Sequence, residues 1–193
     1  MDFIALFTYI FVTTFTPGPN NIVSMTYAVR QGYMNVLRFL AGIFCGFAIV
    51  MLICGFSNLL LVQLLPQLRH WLNLLGVVYM FYLAIHIARS KPGEDPNQAS
   101  GDHTFRAGFV MQFLNVKVIL YGITVFANFL IPFDPEPLHI LLFSLALAGV
   151  GFVATSCWAL GGNLFRKWLR RHYRAFNLTM AGLLVYTAIT SLL

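Results

Sequence analysis

Charged residues are scarce in this chain, and acidic ones are the scarcest. Six Asp and Glu stand beside twelve Lys and Arg, and charged residues make up only 9% of the 193 positions. A soluble domain carries roughly a quarter charged residues, so this composition excludes one. Hydrophobic residues reach 59%, with a mean hydropathy of +0.78. Because strand-sized alternation is missing as well, we predict an all-α integral membrane protein.

Groups of residues that carry chemistry are missing too. No predicted span holds paired carboxylates, no His and Cys cluster has zinc spacing, and no glycine-rich phosphate loop precedes a lysine. These absences argue against an intramembrane hydrolase, a metalloenzyme or a self-contained ATPase. We therefore expect no enzyme activity, no catalytic or metal-binding residue and no cofactor. The three cysteines, Cys45, Cys54 and Cys157, fall inside predicted spans and are expected to pack as small hydrophobic side chains.

Long stretches without charge divide the chain. They run over residues 3–29, 39–68, 70–88, 118–133, 137–165 and 175–193. Since a membrane helix needs roughly 20 residues, the pattern predicts six spans, the fourth beginning near Ala107. We expect one transmembrane domain over residues 1–193, with a first half at 1–89, a polar linker at 90–106 and a second half at 107–193. Three spans per half make the halves inverted relative to each other, which is a common transporter architecture.

Basic residues lie mostly on one side of the predicted membrane. Of the twelve, two follow span one, three follow span three and five follow span five. The positive-inside rule places these loops in the cytoplasm and both termini outside. The first apolar stretch is too long for a signal peptide and is expected to be retained. The basic cluster at 166–174 is expected to meet anionic lipid headgroups rather than nucleic acid, because no aromatic-basic module accompanies it.

The first apolar stretch is interrupted by Thr-Pro-Gly-Pro-Asn-Asn at residues 16–21. Proline lacks a backbone N–H and clashes one turn back, so Pro17 and Pro19 release the carbonyls of Thr13 and Phe15 from helical bonding. Freed carbonyls at membrane depth are tolerated where they are buried in protein or line a cavity, as in the broken helices of transporters. The motif alone fits a packed proline kink equally well.

Polar side chains recur every three or four residues in two of the spans. In span one they are Tyr9, Thr13, Thr16, Asn20, Ser24 and Tyr27, and in span four Lys117, Tyr121, Thr124 and Asn128. A polar stripe against lipid is costly, so we expect both stripes to face the bundle interior. Helix-to-helix hydrogen bonding is the alternative for the hydroxyls.

Lys117 is the one formally charged residue predicted well inside the membrane. A central lysine costs roughly 2.5–3.5 kcal/mol on insertion scales, and no intramembrane acid is available to pair with it. Compensation has to come from a substrate carboxylate, freed carbonyls, water or loss of the proton, because burial disfavours the charged form. The alternative is that the side chain snorkels to the cytoplasmic interface.

These features resemble the LysE/RhtB superfamily of bacterial amino-acid exporters. The resemblance spans the chain and includes the segments 16–22, 112–122 and 157–160, which read Thr-Pro-Gly-Pro-Asn-Asn-Ile, Gln-Phe-Leu-Asn-Val-Lys-Val-Ile-Leu-Tyr-Gly and Cys-Trp-Ala-Leu. It implies proton-driven export of small neutral amino acids across the bacterial inner membrane by alternating access, and it leaves a homo-oligomer open. Many members carry Asn-Pro-Lys where this chain has Asn115-Val116-Lys117, so a break in helix four is also open.

The two anomalies together predict a site for a zwitterion. Lys117 would receive the substrate carboxylate, and the carbonyls freed in span one would receive its ammonium, with Gly18 allowing close backbone approach. The expected substrate-binding residues are Thr13, Phe15, Thr16, Pro17, Gly18, Pro19, Asn20, Asn115, Lys117 and Tyr121. One alternative is a related exporter of homoserine, threonine or another amino acid. A second is a non-transporting membrane assembly or docking subunit that uses the basic cluster as its contact surface.

Overall fold

The computed structural model describes residues 3–89, 105–132 and 136–190, and the regular structure in these ranges is helical. The helices, in chain order, are α1 (Phe3–Phe15), α2 (Pro19–Gln31), α3 (Tyr33–Phe56), α4 (Asn58–Arg89), α5 (Phe105–Leu114), α6 (Val116–Val125), α7 (Pro137–Leu164), α8 (Arg166–Arg171) and α9 (Tyr173–Thr190). A π-helical turn, Phe126–Leu130, follows α6 directly. Most of the predicted polar linker, residues 90–104, lies outside the described residues.

Two of these helices, α3 and α7, are each long and apolar enough to cross a membrane. A third candidate is the pair formed by α5 and Val116–Leu130, which is bent by 64° at its break. Shorter apolar helices are Phe3–Phe15 and the Leu74–Arg89 part of α4. The all-helical class predicted from composition is confirmed for the described residues. The arrangement of six spans in two inverted halves stays a prediction.

The first break lies where the prolines predict it, between Phe15 and Pro19. The last backbone bond at the end of α1 runs from Thr16 N to Val12 O (3.1 Å), and helical bonding resumes from Ile22 N to Gly18 O (2.9 Å). Pro19 stands at the first position of α2, where its missing N–H would have no helical partner anyway. The predicted interruption of the first apolar stretch is confirmed.

A second break separates α5 from α6 at a single residue, Asn115. Its backbone is extended, with φ −86° and ψ 93°, and its carbonyl accepts the amides of Val118 (2.9 Å) and Ile119 (3.2 Å) at the start of α6. Predicted span four is therefore broken between α5 and α6, although residue 116 is a valine and not a proline. The break answers a question that the sequence left open.

Helices α3 and α5 pack with their backbones in contact. A Cβ on Gly42 would overlap the carbonyl of Phe105, and one on Gly108 would overlap the carbonyl of Phe39. Only glycine permits this approach, because any side chain would force the two helices apart. Gly46, one turn further along α3, would meet the carbonyl of Phe109 in the same way, so these glycines serve a contact within one chain.

The two halves of the broken first span differ in burial. Helix α2 buries nine of its 13 residues, whereas α1 buries only Leu6 and Ile10. The outer face of α1 exposes large apolar side chains, among them Phe7 and Phe11. Helix α2 is therefore the anchored half of the span, and α1 presents an apolar surface suited to lipid.

Helix α2 ends in a turn at Gly32, whose φ of +87° favours glycine. The guanidinium of Arg166 donates to the carbonyls of Val29 (3.1 Å) and Arg30 (2.8 Å) there. These carbonyls belong to the last turn of α2, at the negative end of the helix dipole, so they attract a cation. Arg166, expected to meet lipid headgroups, instead caps α2. The exposed members of the basic cluster are Lys167, Arg170, Arg171 and Arg174.

The three cysteines are free thiols in different environments. Cys54 is buried and Cys45 is half-buried, as expected for small apolar side chains in packed helices. Cys157 is exposed on α7. The expected core packing therefore does not hold for Cys157, because it lies on the outer face of its helix.

Candidate functional site

The two helix breaks are joined by a network of three amide side chains. Asn20 Nδ2 donates to Gln112 Oε1 (2.8 Å), and Gln112 Nε2 donates back to Asn20 Oδ1 (3.2 Å). Asn115 Nδ2 donates to the same Asn20 oxygen (3.0 Å), and Gln112 Nε2 also reaches Gly108 O (2.9 Å). Gln112 is fully buried. Because buried amides are costly to leave unpaired, this network fixes one break against the other.

Lys117 lies on the first turn of α6 and reaches across to the first break. Its ammonium donates to Thr16 Oγ1 (3.0 Å), Pro17 O (3.3 Å) and Thr16 O (3.4 Å). A Cβ on Gly18 would lie 3.1 Å from Lys117 Nζ and 3.2 Å from its Cδ. The backbone of Gly18 is extended, so the absence of a side chain, rather than an unusual conformation, makes room for the lysine.

The charge of Lys117 is not neutralised by a carboxylate in the part of the chain that the structure describes. The single acidic residue there is Glu136, which lies beside His139 at the start of α7 (3.9 Å). The partners of Lys117 are neutral oxygens that satisfy its three donors without cancelling its charge. The site is therefore positive and suited to an anion.

Two helix N-termini add to this positive potential. Helix α2 begins after Gly18 and α6 begins after Asn115, and neither of these N-cap residues makes a side-chain hydrogen bond to its helix. Because Pro19 has no N–H, the first N–H of α2 belongs to Asn20; this group and the N–H of Lys117 in α6 lie in the first turns, at the positive ends of two helix dipoles, which favour an anion. Both helices are long enough to carry such a dipole, with 13 and 10 residues.

Backbone carbonyls at the end of α1 supply the opposite polarity. Asn21 Nδ2 donates to the carbonyls of Thr14 and Thr16, both at 2.9 Å, and Thr16 Oγ1 donates to Thr13 O (3.2 Å). Each carbonyl has two lone pairs, so those of Thr13 and Thr14 retain capacity for another donor. The end of α1 thus holds a set of backbone hydrogen-bond acceptors next to Thr16, the residue that Lys117 contacts.

The carbonyl of Phe15 is used differently from the expectation. It accepts the indole N–H of Trp158 on α7 (3.1 Å). Proline at 19 frees this carbonyl as predicted, but the neighbouring helix supplies a donor for it. Phe15 therefore ties the break to α7.

A cavity opens beside the two breaks, with about 40 Å³ accessible to the centre of a water-sized sphere. One water molecule needs roughly 10–15 Å³ of volume measured in this way, so the cavity has room for several waters or a small solute. Of the expected substrate-binding residues, those on its wall are Thr13, Gly18, Pro19, Asn20, Asn115, Lys117 and Tyr121. Phe15, Thr16 and Pro17 are not on the wall.

The wall also includes six residues that the sequence reasoning missed. They are Thr14, Asn21, Phe47, Val118, Gly151 and Thr155. Asn21 belongs to the proline motif and Thr14 lies two residues before it, so the motif was a usable signal for both. Phe47 on α3 and the α7 residues carry no local signal, because only tertiary packing brings those helices to the breaks. The buried linker Gln112 was missed for the same reason.

Tyr121 places a polar group at the cavity inside an aromatic cluster. Its ring stacks on Tyr9 (centroids 5.8 Å apart, planes 8° apart) and lies 6.0 Å from the ring of Phe47. Its hydroxyl is buried beside the Thr14 side chain and forms no hydrogen bond of good geometry among the described residues. A buried hydroxyl without a partner is costly, so this group is ready to bond to a solute in the cavity.

The expected polar stripes hold only in part. Ser24, Tyr27 and Tyr121 are buried, but Thr16 and Asn128 are exposed. Thr16 lies in the break itself, so the helical period does not continue through it. Asn128 lies in the π-helical turn, which shifts the phase of the helix, and its amide bonds back to Thr124 O (3.0 Å).

Residues 11–193 match the family described as LysE type translocator. The chain belongs to this family. Among its relatives, the cysteine/O-acetylserine efflux protein of Klebsiella pneumoniae subsp. pneumoniae is 41% identical over 187 residues, covering 96% of this chain and 94% of the relative. The protein of the same name in Escherichia coli K12 is 40% identical over 185 residues, with the same coverage. No solved structure matches the chain.

Membership of the LysE type translocators confirms the resemblance seen in the sequence motifs. It also makes the chain a multi-pass membrane transport protein, in line with the expected lack of enzyme activity. The cavity lies between two broken helices and carries a positive charge. Transporters commonly build their substrate sites at helix breaks of this kind.

Proposed function

We propose that this translocator exports small neutral amino acids, cysteine and O-acetylserine among them, out of the cytoplasm across the bacterial inner membrane. The names of its relatives support these substrates, because the identity of 40–41% extends over nearly the whole length of both chains. The observation that carries the proposal is Lys117. A lysine without a carboxylate partner among the described residues, held at a cavity between two helix breaks, suits the carboxylate of an amino acid.

The carboxylate of the substrate would bind at the positive side of the cavity. Lys117 supplies a full charge, and the open N-termini of α2 and α6 supply N–H donors. Exchanging its present neutral acceptors, Thr16 and Pro17, for a carboxylate would give the ammonium a charged partner. That exchange favours binding of an anionic group over water alone.

The ammonium of the substrate would bind at the carbonyl side. The carbonyls of Thr13 and Thr14 lie in the last turn of α1, at the negative end of its helix dipole, which attracts cations. The hydroxyl of Tyr121 can accept a further hydrogen bond. Among the described residues that line the cavity, Lys117 has the one charged side chain. A substrate with a neutral side chain therefore fits, whereas the side chain of lysine or glutamate would lack a partner.

We further propose six spans in two inverted halves, within a single transmembrane domain with both termini in the periplasm. Helices α1 and α2 would form span one, and α5 and α6 would form span four, so that each half begins with a broken helix. Alternating access would then move one half against the other around the site. Burial disfavours the charged amine of Lys117 and a bound carboxylate favours it, so substrate binding and the proton of Lys117 would be linked, which would couple export to proton movement. The exposed basic residues of α8 would contact anionic lipid.

The test is counterflow in proteoliposomes. Purified protein would be assayed with radiolabelled cysteine, O-acetylserine, homoserine, threonine and leucine, with and without a pH gradient. We expect cysteine and O-acetylserine to be exchanged fastest. Lys117→Gln should lower exchange at least about a hundredfold, since it removes the charge that meets the carboxylate. Lys167→Gln removes an exposed lysine of α8 and is the matched control.

Three results would contradict the proposal. If Lys117→Gln kept wild-type cysteine efflux and its dependence on the pH gradient, Lys117 would have no part in binding. If homoserine or threonine were strongly preferred, the chain would be an exporter with another cargo. If folded protein exchanged none of these amino acids, a docking or assembly role would replace transport.

A further inference from the structure

We propose that Gly151, together with Phe47 and Val118, forms the subsite for the substrate side chain, and that Gly151 sets its length limit. The cavity wall is polar where α1, α2 and α6 meet, and those elements carry the groups assigned to the carboxylate and the ammonium. Helices α3 and α7 close the remaining wall. This inference rests on the proposed function and adds the part of the site that distinguishes one amino acid from another.

The wall formed by α3 and α7 offers a substrate mainly apolar contacts. Phe47 contributes a ring, and Val118 adds an aliphatic side chain from α6. Thr155 also lies there, but its hydroxyl donates to the carbonyls of Gly151 (2.9 Å) and Phe152 (3.1 Å) in its own helix. Its hydrogen bonding is therefore satisfied locally. An uncharged, mostly apolar side chain suits such a surface.

Gly151 leaves space that helix packing does not require. The nearest atoms to a Cβ there would be those of the Phe47 ring, at 3.7–3.8 Å, which is ordinary contact. Gly162 on the same helix is different, because a Cβ there would lie 2.6 Å from Met25 O. Glycine weakens a helix relative to alanine, and packing demands it at neither Gly149 nor Gly151, but of these two Gly151 lies on the cavity wall. At Gly151 that space belongs to the cavity.

The two proposed substrates differ in the length of their side chains. Cysteine ends at a thiol one bond beyond Cβ, whereas O-acetylserine carries an ester and a terminal methyl further out. With carboxylate and ammonium fixed at the helix breaks, only the longer side chain would reach the part of the cavity lined by Gly151 and Phe47. A methyl group added at 151 would contact the Phe47 ring and narrow this part of the cavity.

The test is the ratio of O-acetylserine to cysteine counterflow in Gly151→Ala. We expect the ratio to fall about tenfold or more, because a lost methylene-sized space is worth roughly that discrimination. Gly149→Ala is the matched control: it changes the same helix, its Cβ would meet nothing within 4 Å, and it is absent from the cavity wall. Its ratio should stay at the wild-type value.

A second variant enlarges the same subsite from the opposite wall. Phe47→Leu should raise the ratio or admit leucine, and it decides the matter if Gly151→Ala does not fold. Folded Gly151→Ala and Phe47→Leu proteins with wild-type ratios would overturn the subsite while leaving the proposed export intact. If the wild-type protein exchanges neither substrate, the proposed function itself has failed, and the two failures are thereby distinguished.

Discussion

The two helix breaks at the site do the same structural job by different means. The first is written into the chain, because Pro17 and Pro19 cannot continue the helical bonding of α1. The second, at Asn115, has no proline or glycine at the break, and the residues around it are compatible with a continuous helix. The comparison shows that a broken membrane helix can be set by covalent structure in one half of a protein and by tertiary contact in the other.

Tertiary contacts offer a physical reason for the second break. The amide of Asn115 bonds to Asn20, which belongs to the first break, and Asn20 is held in turn by Gln112. The break also turns α6 so that Lys117 reaches Thr16 and Pro17. Breaking a helix in an apolar setting costs several kcal/mol, and these contacts offset that cost. The first break therefore supports the second.

The largest expected effect tests whether the second break is real. Proline at 119 would remove the bond from Ile119 N to Asn115 O and clash with that carbonyl, so Ile119→Pro should lower the free energy of unfolding by about 3 kcal/mol or more. Val116→Pro should change it by no more than about 1 kcal/mol, because position 116 begins α6. Denaturation in mixed micelles measures both. Equal losses in the two variants would mean an unbroken helix.

An intermediate effect tests whether the breaks support each other. Gln112→Leu should destabilise the protein by about 1–3 kcal/mol, since it leaves the Asn20 amide without its closest partner. Asn20→Leu should cost a similar amount, and the double variant should cost clearly less than the sum. The matched control is Asn35→Leu, because Asn35 is exposed and its amide donates to Gln31 O, four residues earlier at the end of α2, away from both breaks. Additive losses for Asn20 and Gln112 would show two independent sites.

The smallest effect concerns the break that the sequence specifies. Pro19→Ala should change stability by less than about 1 kcal/mol, because Asn21 and Trp158 still hold the carbonyls of Thr14 and Phe15. Thermal unfolding in detergent and cysteine counterflow would both be measured. A loss as large as that of Gln112→Leu would mean that Pro17 and the contacts around it are not enough to maintain the first break without Pro19.

Sequence reasoning found features that are unusual within a single helix. Pro17 and Pro19 interrupt the backbone hydrogen bonding of a membrane helix. Lys117 is conspicuous because charged residues are rare inside membrane helices. Gln112, Gly151 and Phe47 are ordinary residues in membrane helices and gave no such signal. Their importance comes from what packs beside them, which a pattern along one helix does not contain. The expectation for Phe15 failed in part for the same reason, since its partner Trp158 lies on α7.

The sequence by itself determined the helical membrane class, the family, the position of the first break and the presence of a lysine in a predicted span that contains no acidic residue. These follow from composition, proline geometry and the energetics of charge in an apolar environment, all of which act locally. Tertiary structure decided the break at Asn115, the amide network, the capping of α2 by Arg166 and the wall formed by Phe47 and Gly151. These depend on which helices meet, and that is settled by packing over the whole chain.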